Sequence, residues 1–290
     1  MPVVVMFSAA LLLSIGFARI EIHSSSPLLD VRVFSSRAFS ISALAIATNF
    51  FCLFGFIFLT TQYFQMVRGY TALSAGVHTL PFAGAVVVAT PLGALAALRF
   101  GPRAIVAQGL TLTAVALFWM ATLGARTAYA GPIVGAMVVL AIGFSLVNAP
   151  STAALMGTLS AEQMGAGAAV NETTRELGGT LGVAVIGSVF SSVFGPDIHR
   201  LLAPFLGRGI SRSTLSVAQD SMQAALKVAA NAPMVQRVVL RERVVSGFMD
   251  GLHRGCVVAG AGSLAIALIV FLALPRAAEV KIAPKMVVFN

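Results

Sequence analysis

Charge is scarce in this chain. Only 10% of its 290 residues are Asp, Glu, Lys or Arg, where a soluble domain carries about 25%. Cysteine is nearly absent too. Cys52 and Cys256 lie within or beside apolar blocks, which leaves no disulfide framework and no metal-ligand spacing, only two small buried hydrophobes. The phosphate-cradling pattern G-x-x-x-x-G-K-[ST] occurs nowhere, so no ATP site is expected. Four histidines are present, and His23, His199 and His253 fall at or outside predicted helix ends while His78 sits near the start of a span. No Ser-His-Asp or Cys-His arrangement can be assembled from them. Neither an enzyme nor a bound cofactor or metal is expected. A basic start is missing from the first twenty residues as well, and Arg19 follows the apolar run instead, so no secretory signal is read.

What the chain has in abundance is apolar side chains. They make up 58% of it, with a mean hydropathy of +0.93, and they arrive in long blocks rather than in strand or amphipathic-helix stripes. A bilayer takes such blocks as spanning helices of about 20 residues, because backbone groups in lipid must bond within the segment. Seven blocks can be marked, at residues 3–17, 39–63, 74–98, 104–123, 130–155, 165–194 and 252–274. The fold class expected is all-α, a polytopic membrane helix bundle in the plasma membrane. Pro81 and Pro91 lie inside the third block and are expected to bend or locally unwind it. Gly178 and Gly182 form a G-x-x-x-G pair, and Gly84, Gly93, Gly260 and Gly262 have similar surroundings, so close backbone approach between helices is expected there.

Basic residues outnumber acidic ones, for a net charge of +9. On a soluble protein this raises nucleic-acid binding. Here the positive residues gather between apolar blocks, as orientation signals or anionic-lipid contacts do, and no nucleic-acid partner is expected. Seven spans place Arg19, Arg32, Arg37, Arg99, Arg103, Arg276, Lys281 and Lys285 on one face, and only Arg68 and Arg126 in short loops on the other. Short loops favour the first face as cytoplasmic. The connection 195–251 is long and basic, which pulls the other way. Within it, residues 216–231 read as an amphipathic helix with Val217, Met222, Leu226 and Ala229 on its apolar side.

Polar residues inside the spans form three groups. Asn171, Glu172, Arg175 and Glu176 cluster at the start of the sixth block, where ionisable groups in lipid need a reason. Spacings of three and four set Glu172 beside Arg175 and Glu176. The cluster is either an interfacial helix end or a charge network that latches one conformation. In the second block Ser42, Asn49, Phe56, Thr60 and Tyr63 recur at helical spacing. In the fifth, Ser145, Asn148 and Thr152 do the same. Such stripes either bond between helices or face a polar cavity.

Several stretches in order resemble one family. They are Pro27-Leu28-Leu29-Asp30-Val31-Arg32-Val33-Phe34, Gln62-Tyr63-Phe64-Gln65 with Gly69-Tyr70, Ala75-Gly76, Leu80-Pro81, Val147-Asn148-Ala149-Pro150, and Asn171-Glu172-Thr173-Thr174-Arg175-Glu176-Leu177-Gly178-Gly179 running into Leu181-Gly182-Val183-Ala184. Together they resemble the fourteen-helix drug:proton antiporter branch of the major facilitator superfamily, whose two six-helix halves are joined by two extra helices. The resemblance implies that residues 1–20 are a linker helix and 21–38 a cytoplasmic loop. Residues 39–194 would then hold five helices of the C-terminal half, 195–251 an extracytoplasmic loop, 252–274 the last helix and 275–290 a cytoplasmic tail. Arg99, Gly101 and Arg103 match a degenerate copy of the superfamily's cytoplasmic loop motif, with Leu98 at the aspartate position.

The same resemblance implies a proton-coupled multidrug or metabolite exporter working by alternating access, with no cofactor beyond the proton gradient. Asn49, Phe56, Thr60, Tyr63, Ser145 and Asn148 would line the substrate cavity, and Asn171, Glu172, Arg175 and Glu176 would form the cytoplasmic latch. Its partners would be the lipid bilayer, a small amphipathic or drug-like substrate, and an N-terminal half on the same or another chain. Rocking one half against another around a midplane site needs both halves, so the sequence is expected to be incomplete for transport. The alternative is a non-transporting membrane interaction or structural fragment. A seven-helix photoreceptor or signalling receptor is not expected, since retinal attachment would need a lysine in the last block, which has none.

Overall fold

The computed structural model describes residues 31–206 and 210–275, with isolated helical positions between 6 and 20. The first expected span, at 3–17, and the tail beyond 275 lie largely outside the described residues. Eight α-helices follow the short 3-10 turn Val31–Ser35: α1 Arg37–Gln62, α2 Ala72–Phe100, α3 Pro102–Met120, α4 Val134–Met156, α5 Met164–Leu202, α6 Arg212–Asp220, α7 Met222–Asn231 and α8 Met234–Ala273. Among the described residues six helical segments are long and apolar enough to cross a membrane, and they overlap the six expected blocks from residue 39 onward.

The helix ends follow local chemistry. Ser36, Thr71, Ser211 and Ser221 cap α1, α2, α6 and α7 by accepting a backbone N–H three residues on. Between α2 and α3 the chain turns at Gly101 with φ 83°, a left-handed conformation open to glycine at little cost, and Pro102 starts α3 where its missing N–H is no loss. Pro81 and Pro91 do not unwind α2, whose helix runs unbroken through both. Neighbouring backbone groups in membrane helices readily re-satisfy what a proline frees. The irregular turns fall elsewhere. Tyr63–Val67 closes α1 as a π-turn, and Ala130 and Gly131 leave helical geometry just before α4.

The helices form two rows. In the front row α2 packs on α4, α4 on α1, and α1 on α5; behind them α3 packs on α4 and α8, and α8 on α1, α3 and α5. Glycines set the closest approaches. A Cβ at Gly178 or Gly182 would run into the backbone of Ala47 or Phe51 of α1, and one at Gly109 of α3 would stand 2.8 Å from the Gly143 carbonyl of α4. Gly93 and Gly260 are likewise crowded, by Leu146 and Phe118, whereas Gly84 and Gly262 face open space.

Two helices outrun the bilayer. At 39 and 40 residues, α5 and α8 are each about 60 Å long, twice the roughly 30 Å hydrocarbon core. Their excess lies at the end away from Arg99 and Arg103. The last helix thus begins at Met234, inside the stretch read from sequence as a connection, and the single amphipathic helix expected over 216–231 is two, broken at Ser221. Val217 is exposed rather than on the apolar side. Met222 and Ala229 are buried as expected, joined by Leu215, Ala218 and Ala225, in one core with Phe194, Ile198 and Leu202 of α5 and Leu240, Val244 and Phe248 of α8. The bundle core therefore continues out of the membrane into a small helical cap. On the same side α8 is tied to the α3–α4 connection by His253 Nε2 with the Leu123 carbonyl at 2.7 Å and by an exposed Arg126–Glu242 pair at 3.0 Å.

Candidate functional site

Helical spacing puts Ser42, Asn49, Phe56, Thr60 and Tyr63 on one face of α1, and that face is turned into the bundle: all five are buried. Asn49 Nδ2 donates to the Phe144 carbonyl of α4 at 3.0 Å. The Phe56 ring packs on Phe82 of α2 with centroids 5.5 Å apart. Tyr63 donates its hydroxyl to the Gly124 carbonyl at 3.3 Å. Thr60 and Tyr63 also border a small enclosed apolar cavity with Met120, Met137 and Met249. On α4, Ser145 is fully buried and accepts a hydrogen bond from Thr90 of α2 at 3.2 Å. Asn49, Phe56, Tyr63 and Ser145 thus hold helices together, while the buried Ser42 and Thr60 hydroxyls and the Asn49 Oδ1 have no protein partner, and Asn148, at the half-buried edge, is the member that reaches outward.

Asn148 meets the charged cluster. Arg175 of α5 points across to α4, where its Nη2 lies 3.5 Å from Asn148 Oδ1 and 3.4 Å from Thr152 Oγ1. Its guanidinium also stands over the Phe50 ring of α1 at 5.2 Å, an attraction between the cation and the negative face of the ring. Glu172 on its own helix approaches to 3.9 Å while remaining 65% exposed. Arg175 therefore bridges three front-row helices, held by neutral oxygens and a ring more than by a carboxylate. Its Nε has no protein partner, and neither does the Oδ1 of buried Asn171. Glu176 is exposed on the same helix. Chemically this is a lone guanidinium with one weakly engaged acid and a second within a turn, an arrangement able to exchange one carboxylate for another at small cost.

Two groups read separately from sequence, the stripe of α4 and the cluster of α5, are thus one site. Spacing along a helix could not join them, because Arg175 is 27 residues from Asn148. Phe50 was missed altogether. Its only sequence signal is its place beside Asn49, on the edge of the polar face. The third set stands apart. Arg99, Gly101 and Arg103 make the α2–α3 turn, with Arg99 over the Phe100 ring at 5.4 Å and Arg103 over Phe271 of α8 at 4.9 Å. No acid pairs with either among the described residues.

A family model described as Major Facilitator Superfamily matches residues 3–183. Over 260 residues the chain is 30% identical to the multidrug efflux pump LfrA of Mycolicibacterium smegmatis, covering 90% of this chain and 50% of that protein. It is 29% identical over 265 residues to the tetracenomycin C resistance and export protein of Streptomyces glaucescens, covering 90% and 49%. With the methyl viologen resistance protein SmvA of Salmonella typhimurium it shares 28% identity over 267 residues, 91% of this chain and 52% of the other. The chain spans about half the length of these relatives.

Proposed function

The chain belongs to the Major Facilitator Superfamily, a multi-pass plasma-membrane transporter family rather than an enzyme family, and from that premise we propose that it supplies the C-terminal half of a proton-coupled exporter of drug-like or metabolite compounds. In this reading α1 and α4 border a central path shared with a second half, on the same or another polypeptide, and transport proceeds by alternating access. The Arg99–Arg103 turn faces the cytoplasm and the helical cap faces outward. Relatives that carry tetracenomycin C or methyl viologen in their names support amphipathic or cationic substrates.

The observation that carries the proposal is Arg175. A guanidinium spanning α5, α4 and α1, with Glu172 loosely attached and Glu176 unengaged, is a charge network on the open edge of the front row. It acts as a latch: one conformation is held by Asn148, Thr152 and Phe50, and an acid on the facing half competes for the cation in the other.

Proton-driven dye uptake into inside-out vesicles tests this. In a transporter carrying both halves, Arg175→Ala and Glu176→Ala are expected to slow ethidium transport by an order of magnitude or more, a loss of about 1.4 kcal/mol in the stabilisation of one state. Unchanged transport in both would reduce the cluster to a helix end. The 290-residue chain alone is expected to move no dye, and vigorous export by it without a companion would overturn the half-transporter reading.

A further inference from the structure

On the back row, away from Arg175, α3 packs on α8, with Ser263 against Leu110 and Gly260 against Phe118. Along the outer surface of that contact runs an open groove of about 1200 Å³, walled by the small residues Ala104, Ala261 and Ala265 and by Leu264, Leu268 and Phe271, with Ala96 of α2 and Leu146 of α4 at its borders. It reaches from Ala104 to Phe118 along α3, about 21 Å at 1.5 Å per residue. That spans one leaflet's share, about 15 Å, of the roughly 30 Å hydrocarbon core, with about 6 Å left for the interfacial region. The groove is apolar except for Gln108 and Thr111. Thr111 returns its hydroxyl to the Ala107 carbonyl at 2.8 Å, whereas the Gln108 amide stands exposed.

Positive charge sits at one end only. Phe100 and Phe271 close the groove there, and the guanidinium of Arg99 lies over the first ring and that of Arg103 over the second. Among the described residues neither arginine has an acidic partner, since the three ion pairs are Arg126–Glu242, Arg175–Glu172 and Arg200–Asp197. The free N–H groups at the start of α3 point the same way, as no side chain caps them, and a helix N-terminus favours anions. A cavity with a two-arginine mouth and an apolar barrel one leaflet deep matches a single class of ligand.

We propose that the α3–α8 groove is a binding site for an anionic phospholipid of the leaflet on the Arg99–Arg103 side. Arg99 and Arg103 hold the phosphate, and the acyl chains lie along Ala104, Ala261 and Ala265. Gln108, about 7 Å further along α3, donates to an ester carbonyl at the depth where the glycerol backbone passes into the chains. The site is independent of the transport reading: it needs only that the bundle sits in a bilayer.

Native mass spectrometry of the purified chain, released from mixed phosphatidylglycerol and phosphatidylcholine, measures it. Each arginine near a charged lipid surface contributes enough that the wild type is expected to retain phosphatidylglycerol roughly ten- to thirtyfold over phosphatidylcholine at low salt. R99Q/R103Q is expected to remove that preference while still binding both lipids. Ala265→Trp, which fills the barrel, is expected to lower retention of both. Raising salt on the wild type should erode the preference, because exposed charges are screened within a few ångströms at 1 M; this readout stands even if a variant does not fold. Equal retention of the two lipids by the wild type, a preference that survives R99Q/R103Q or high salt, or undiminished binding in Ala265→Trp would each overturn the proposal. So would a lipid-free dimer dissolved by Ala265→Trp, which would assign the groove to a second copy of the chain.

Discussion

Helices α2 and α5 read alike in sequence, both long, apolar and interrupted by glycine, yet the fold uses them in opposite ways. Along α5, Gly178 and Gly182 lie against the backbone of Ala47 and Phe51, and the opposite face carries exposed Leu177 and Leu181. Along α2, Leu73, Val87 and Leu98 are exposed by 74–85%, and Gly76 and Gly84 have nothing within 4 Å of where a Cβ would stand. Hydropathy cannot separate these cases, since lipid tails are as apolar as leucine. What separates them is where a small residue lets another backbone come close, at Gly178 and Gly182 along the middle of α5 but only at Gly93 on α2.

The comparison breaks most visibly at the α1–α5 contact. Gly182→Leu, or Gly178→Leu, sets a side chain into backbone that cannot move aside, and each is expected to cost about 3 kcal/mol or more, read as a lowered midpoint of unfolding in denaturing detergent. A midpoint within error of wild type would show that the two helices can separate freely. Next comes Asn49→Ala, which removes the α1–α4 hydrogen bond to Phe144. Interhelix bonds in lipid are worth about 0.6–1.7 kcal/mol, and the same unfolding assay should place this loss below that of the glycine variants. Ser263→Ala removes a bond from α8 to the Leu110 carbonyl of α3, 2.8 Å long and buried, and should cost about 0.6 kcal/mol. At the small end, Gly84→Ala on α2 should change stability by less than about 0.5 kcal/mol. A loss as large as that of Gly182→Leu would mean that α2 is closely packed where the structure leaves it open.

Much of the bundle was legible beforehand because spanning helices announce themselves one at a time. Twenty or so apolar residues mark each segment, and the Gly178/Gly182 spacing marks a close contact without naming its partner. Of the two outcomes expected at the prolines, a bend or an unwound stretch, unwinding does not occur, for a reason. Pro81 and Pro91 remove backbone bonds, but a helix surrounded by lipid gains nothing by unwinding, so α2 continues through them. The cap was half legible. The amphipathic pattern at 216–231 pointed to helix, but the break at Ser221 and the swap of Val217 for Leu215 and Ala218 on the buried face follow from α5 and α8 running past the membrane to meet it. The candidate site was the least legible. Asn148, Thr152 and Arg175 were each visible as polar residues in lipid, and local spacing offered Arg175 only its own helix neighbours.

Sequence alone decided that this chain enters a membrane, how many described segments cross it, and which side chains would be costly there, because transfer into hydrocarbon acts on each segment separately. Only the tertiary structure decided that Arg175 reaches α4 and α1, that the polar face of α1 turns inward, and that a groove opens under Arg99 and Arg103. Those outcomes depend on which helix surfaces meet, and in a solvent as apolar as the helices themselves that choice rests on shape and on the few polar groups that must find partners.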